Sequence, residues 1–143
     1  MNKLFVDTSG WANLFIPTEI YHKAASQYFQ EAYRQNQEIV TSNYVIAELV
    51  SLLNVRLKAS RSQQFTYIDT IKTSEKVMLI YLDQRIDTLA WNLCKSRPDK
   101  AWSLVDCTSF IIMQQLGIQV ALTTDSHFEQ AGLIRLLKPS SPY

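Results

Sequence analysis

Apolar positions along this chain follow two alternating periods. Short compact runs, "KLFVD" at 3–7, "EIVTS" at 38–42, "KVMLIYL" at 76–82 and "IQVALTT" at 118–124, have the branched and aromatic content of buried strands, with "LIRLL" at 133–137 as a last edge strand. Between them the apolar residues return every three or four positions, as Tyr21, Ala25, Tyr28, Phe29 and Ala32 do within 19–36. The spacing predicts further helices at 8–15 (ended by Pro17), 43–58, 60–73, 84–97 and 103–117, and a short one in "DSHFEQAG". Ser42 or Asn43, Ser60, Asp83 and Ser103 stand where caps are expected, and Gly117 where a left-handed C-terminal residue is. Strands alternating with helices predict a parallel sheet in a three-layer α/β/α arrangement, one domain over 1–143. No repeat, linker or low-complexity segment interrupts it.

Composition narrows the class without naming a function. A chain of 143 residues that is 47% hydrophobic and 19% charged is an ordinary globular sequence, and its net charge of +1 gives no overall pull toward nucleic acid. No apolar run approaches the ~18 residues of a membrane span, and the N-terminus lacks the apolar stretch of a signal peptide, so a cytoplasmic location is expected. Cys94 and Cys107 lack metal-ligand spacing and read as reduced core cysteines.

The distribution of charge changes the picture. Residues 4–18 carry one charge, Asp7; residues 39–55 carry one, Glu48; residues 101–124 carry one, Asp106, and Asp125 follows directly. Every survivor is an acid, and no Lys or Arg lies inside these windows. A buried lone carboxylate costs several kcal/mol unless a cation or donors compensate it. A bound divalent metal accounts for several such acids at once, although an ion pair from elsewhere in the chain remains open here.

Each acid also has a plainer explanation. Asp7 can cap the helix that follows it. Glu48 can be a surface residue, although Tyr44, Val45 and Leu52 put it on a mostly apolar face. Asp106 completes a capping box in "SLVD" with Ser103, and Asp125 can cap the turn at "DSHF". Taken together, Asp7 and Asp125 end parallel strands, while Glu48 and Asp106 lie in early turns of helices able to lean over that sheet edge. Four acids at one edge repel each other without metal. Hard oxygen donors without His or Cys select Mg2+ or Mn2+ over zinc.

"FVDTSGW", "IAELV", "WSLVDCTSF" and "LTTDSHF" resemble, in order and spacing, the four acidic motifs of PIN-domain ribonucleases, and most of all the VapC-type toxins of toxin–antitoxin pairs. The resemblance spans 3 to about 137. It implies a five-stranded parallel sheet in order 3-2-1-4-5, Mg2+ or Mn2+ held by Asp7, Glu48, Asp106 and Asp125, and endonucleolytic cleavage of RNA. It further implies Ser9 and Thr124 as polar residues beside the acids, a cognate antitoxin and a homodimer. An antitoxin helix docking on the early helices is one role for Trp11; the core is the other. Arg56, Lys58 and Arg61, and again Lys95, Arg97 and Lys100, are basic runs that read as solvated helix ends or as a track for the RNA backbone. Asp99 reads as a loop residue, His127 as a surface or capping residue, and His22 carries no functional signal. Two other readings compete: a non-catalytic PIN-like scaffold, and a haloacid-dehalogenase-like phosphotransferase using Asp7 as nucleophile. The latter expects a second acid two residues on, where Ser9 stands.

Overall fold

The computed structural model describes residues 2–143. Five strands, β1 (Lys3–Val6), β2 (Glu38–Ser42), β3 (Val77–Ile80), β4 (Val120–Leu122) and β5 (Ile134–Arg135), form one sheet in the order β3-β2-β1-β4-β5. Every pairing is parallel. Seven helices connect and cover it: α1 (Thr8–Phe15), α2 (His22–Arg34), α3 (Asn43–Val55), α4 (Arg61–Thr73), α5 (Gln84–Ser96), α6 (Leu104–Leu116) and α7 (His127–Gln130). Successive residues of β1 and β2 are buried whichever way they point, so both sheet faces are covered, as a parallel sheet requires. The expected order 3-2-1-4-5 and the α/β/α class are what is found. None of the described helices is long and apolar enough to cross a membrane.

Two helix ends differ from expectation. α2 begins at His22 and not near 19, because Asn13 takes over that turn: its side chain accepts from the Tyr21 amide, at 2.9 Å, and donates to the Ser9 carbonyl, at 2.8 Å. α3 stops at Val55 and not at 58, where Lys58 adopts φ +51° and the Leu57 amide turns back onto the Leu52 carbonyl. α4 then starts on a full capping box between Ser60 and Gln63, and α6 ends on Gly117 at φ +67°.

The core runs through Phe5, Val6, Ile39, Val40, Leu49, Leu53, Leu122 and Phe128. Trp11 belongs to it at 2% exposure, and the partner-facing role for it is set aside. Its ring stacks on Phe15, which stacks in turn on Tyr67, and its Nε1 donates to Thr41 Oγ1 at 3.1 Å. Thr41 donates onward to the Val6 carbonyl, 2.9 Å away. This chain of hydrogen bonds ties α1 to the last residues of β1 and β2, immediately beneath Asp7. Cys94 and Cys107 are free thiols with their sulfurs 2.7 Å apart, joining α5 to α6. Burial, and then the neighbouring Cys94, push the Cys107 thiol up to about 12.

Candidate metal centre

The strand order reverses between β1 and β4: β2 and β3 lie on one side of β1, β4 and β5 on the other. Chains leaving the carboxyl ends of two such strands part to opposite faces and leave a crevice, where open α/β sheets bind ligands. Asp7 follows β1 and Asp125 follows β4 at that crevice. The adjacent register of Val6 with Leu122 and the bond from the Asp7 amide to the Leu122 carbonyl, at 3.2 Å, hold the two strand ends side by side.

Asp7 stands in the N-cap position of α1 but makes no capping bond with its side chain. Its carboxylate turns inward instead, is 5% exposed, and accepts from Thr123 Oγ1 at 3.0 Å. Burial is the largest influence on it and outweighs the Thr8 amide and the Thr123 hydroxyl. With Glu48 and Asp106 adding like charge, the Asp7 carboxyl rises from 3.8 to about 7.

Asp106 does complete the capping box, accepting from the Ser103 amide at 3.0 Å while its own amide donates to Ser103 Oγ. The same carboxylate, 7% exposed, lies outside the lining of the cleft that Asp7, Glu48 and Asp125 share but within 4.8 Å of donor atoms of Asp125 and His127. Its pKa is raised, first by burial and then by Asp125, against lowering contributions from the Ser103 amide and His127. Capping and site membership are therefore not alternatives for this residue.

Glu48 is exposed, on the side of α3 that faces the crevice, and accepts a short hydrogen bond from the Thr8 hydroxyl. Asp125 accepts from the His127 amide at 2.9 Å. Asp7, Glu48 and Asp125, with Thr8, Ser9, Leu52 and Thr124, line an open cleft of about 400 Å³. A roomier cleft of about 500 Å³, lined by Trp102, Phe110 and Leu133 among others, has no carboxylate in its wall.

Four residues that sequence reasoning passed over or misjudged complete the arrangement. Thr8 orients Glu48. Thr123, and not its neighbour Thr124, touches Asp7; consecutive side chains leaving a strand point to opposite sides, and only the first is directed inward here. Thr124 acts through its backbone, donating from its amide to Ser9 Oγ at 2.9 Å and accepting at its carbonyl from Arg135. Ser9 thus pins the loop after β4. His127, read from sequence as a surface or capping residue, lies against Asp106 Oδ2 at 3.0 Å and Asp125 Oδ1 at 3.3 Å through Nδ1. The fourth, Gly10, comes within contact of β4: a Cβ there would sit 2.1 Å from the Leu122 carbonyl oxygen. A glycine inside a helix was the available signal for that close approach.

Among the described residues, no Lys or Arg pairs with any of the four acids. Two of the basic residues expected to track RNA are already engaged, Arg56 with Glu19 and Arg97 with Asp99. Donor atoms of Asp106, Asp125 and His127 lie within 4.8 Å of one another, the compass of one coordination sphere. A carboxylate-dominated donor set, with one buried acid whose contacts are a hydroxyl and an amide, fits a hard divalent cation.

Comparison with known proteins agrees with this geometry. Residues 4–133 match the family model described as "PIN domain". The 23S rRNA-specific endonuclease VapC20 of Mycobacterium tuberculosis, from two strains, is 29% identical over 133 residues, covering 93% of this chain and 97% of the relative. The crystal structure of that toxin, described as cleaving the sarcin–ricin loop, superposes with a TM-score of 0.81 at 28% identity, over 92% of this chain and 96% of the other. FitAcB from Neisseria gonorrhoeae shares the fold, with a TM-score of 0.63 at 15% identity over 92% and 95% of the two chains. With the family match covering nearly all of its length, this chain belongs to the PIN domain family.

Proposed function

We propose that this protein is a metal-dependent endoribonuclease of the VapC type, acting through a single PIN domain over 1–143. The observation that carries the reading is that Asp7, Glu48 and Asp125 line one cleft, while Asp106, outside that lining, brings a carboxylate oxygen within 4.8 Å of Asp125, with no Lys or Arg among the described residues pairing with any of the four. These four carboxylates are the residues that would hold Mg2+ or Mn2+. When bound there, the cation supplies Lewis acidity toward a phosphodiester and lowers the pKa of an attacking water.

The rest is the work of the chain itself. Thr123 holds the Asp7 carboxylate, the capping box fixes Asp106, and Thr8 keeps Glu48 directed into the cleft. Ser9 and the Thr124 backbone hold the β4 loop that carries Asp125. The openness of the cleft suits a polymer that enters and leaves sideways. RNA is the substrate on this reading, and large-subunit rRNA is the first RNA to test, because VapC20 is specific for it. A cognate antitoxin and a homodimer complete the proposal.

The test is cleavage of purified ribosomal RNA, read by mapping the new ends. Discrete cuts are expected with Mg2+ or Mn2+, none after chelation, and none with a Glu48→Gln variant that remains folded. Cleavage that persists in the chelator or in Glu48→Gln contradicts the proposal. Binding of RNA or a partner with no cleavage under any metal favours the scaffold.

A further inference from the structure

Resting on the metal-site reading above, we propose that His127 is the residue that positions Asp106 and Asp125 for the cation, hydrogen-bonding Asp106 and lying close against Asp125, and not acting as a metal ligand. The argument starts from the ring's surroundings. Nδ1 is 3.0 Å from Asp106 Oδ2 and 3.3 Å from Asp125 Oδ1. A carboxylate oxygen accepts, so in the contact with Asp106 the proton belongs to Nδ1, and the same nitrogen lies between two acids that would otherwise repel.

Nothing else in the described structure does this for the pair. Asp106 has its Oδ2 bound by the Ser103 amide, and Asp125 has its Oδ1 bound by the His127 amide. Both contacts are to the backbone of the residue's own turn and set each carboxylate separately. The His127 ring is the only side chain bridging the two, across the gap between α6 and the start of α7. Main chain and ring of one residue thus hold Asp125 from two directions.

The contacts of His127 and of the Ser103 amide fall on Asp106 Oδ2 and Asp125 Oδ1, which leaves Asp106 Oδ1 and Asp125 Oδ2 for a cation. Hydrogen-bonding partners of metal-binding carboxylates set ligand orientation, and their loss typically costs about 10–100-fold in metal affinity. Such a role keeps the donor set all-oxygen and suited to Mg2+ or Mn2+. Direct ligation by the imidazole would move its preference toward zinc and the later transition metals.

Mn2+ affinity, read from the electron paramagnetic resonance signal of free Mn2+, tests this without reference to RNA cleavage. The proteins are the parent, His127→Ala, His127→Asn and His127→Gln, each first confirmed as folded by its thermal unfolding in metal-free buffer. His127→Ala is expected to bind about 10–100-fold more weakly. His127→Asn places an amide N–H near the position of Nδ1 and is expected to recover most of the loss; His127→Gln, whose amide reaches toward Nε2, is not. Parent-like affinity in His127→Ala overturns the inference, as does recovery by Gln but not by Asn, which makes the ring a ligand through Nε2. A parent that takes up no Mn2+ overturns the metal-site reading itself, a separate and recognisable result.

Discussion

At pH 8 and without divalent cation, Asp7→Asn is expected to be more stable than the parent protein, although it removes the site's most buried carboxylate. Burial chiefly holds the Asp7 carboxyl at about 7 against an ordinary 3.8. Between those values the folded chain keeps a proton that the unfolded chain has released, so stability falls as pH rises through the window. Below about pH 4 both states are protonated and Asp7 costs nothing. Above about pH 7 the full difference of three pH units applies, about 4 kcal/mol at 1.36 kcal/mol per unit. Asparagine stays neutral throughout and its carbonyl still accepts from Thr123. The gap between variant and parent therefore opens from pH 4 to 7 and reaches roughly 10 °C in unfolding temperature. The same substitution removes RNA cleavage by more than the 10–100-fold typical of losing an outer partner of a metal ligand. Thermal unfolding across pH, beside cleavage assays, checks both. A variant less stable than the parent at every pH would make the Asp7 carboxylate a structural group.

Gly10→Ala is expected to be the most damaging of the small substitutions. Alanine improves helix propensity by about 1 kcal/mol over glycine, and that gain acts in its favour. Against it, the new methyl meets the Leu122 carbonyl oxygen at 2.1 Å, its carbon at 3.0 Å and Val6 Cγ1 at 3.0 Å. Neither α1 nor β4 can turn the obstruction away, since the blocking oxygen is backbone. Overpacking of this kind costs typically 1–3 kcal/mol and occasionally more, and with rigid chain on both sides a net loss of about 3 kcal/mol is expected in urea unfolding. Relief comes by moving the end of β4 outward, which carries Thr123 away from Asp7, so divalent-cation affinity falls with stability. An alanine variant as stable as the parent would mean that α1 and β4 do not pack as closely as described.

What the sequence disclosed here is tied to one-dimensional signals. The existence and order of the strands, the helix caps at Ser60, Asp83 and Ser103, and the glycine end of α6 follow from local patterns, whereas the strands at 76–82, 118–124 and 133–137 are shorter than their apolar runs, at Val77–Ile80, Val120–Leu122 and Ile134–Arg135. The four acids were visible because charge is otherwise kept out of the segments that carry them. The residues that organise those acids were not visible in that way. Thr8 reaches Glu48 across 40 positions and Thr123 reaches Asp7 across 116, and nothing in either local pattern separates them from other threonines. His127 reads as a surface or capping residue because it opens a short helix after Asp125; its ring's contact with Asp106 depends on how α6 packs against α7. Asp106 was framed as cap or ligand, whereas the geometry allows one carboxylate to do the first while facing the site.

The most direct test of a shared cation site is the divalent-cation dependence of unfolding, measured on the parent beside Asp106→Asn. Asparagine can still accept from the Ser103 amide, so this variant keeps the helix cap and loses only the charge. For the parent, Mg2+ or Mn2+ should raise the unfolding temperature saturably, by about 2.7 kcal/mol at 100 times the dissociation constant, with the response lost or moved to far higher concentration in Asp106→Asn. No saturable rise in the parent, or the same rise in both proteins, would contradict the site.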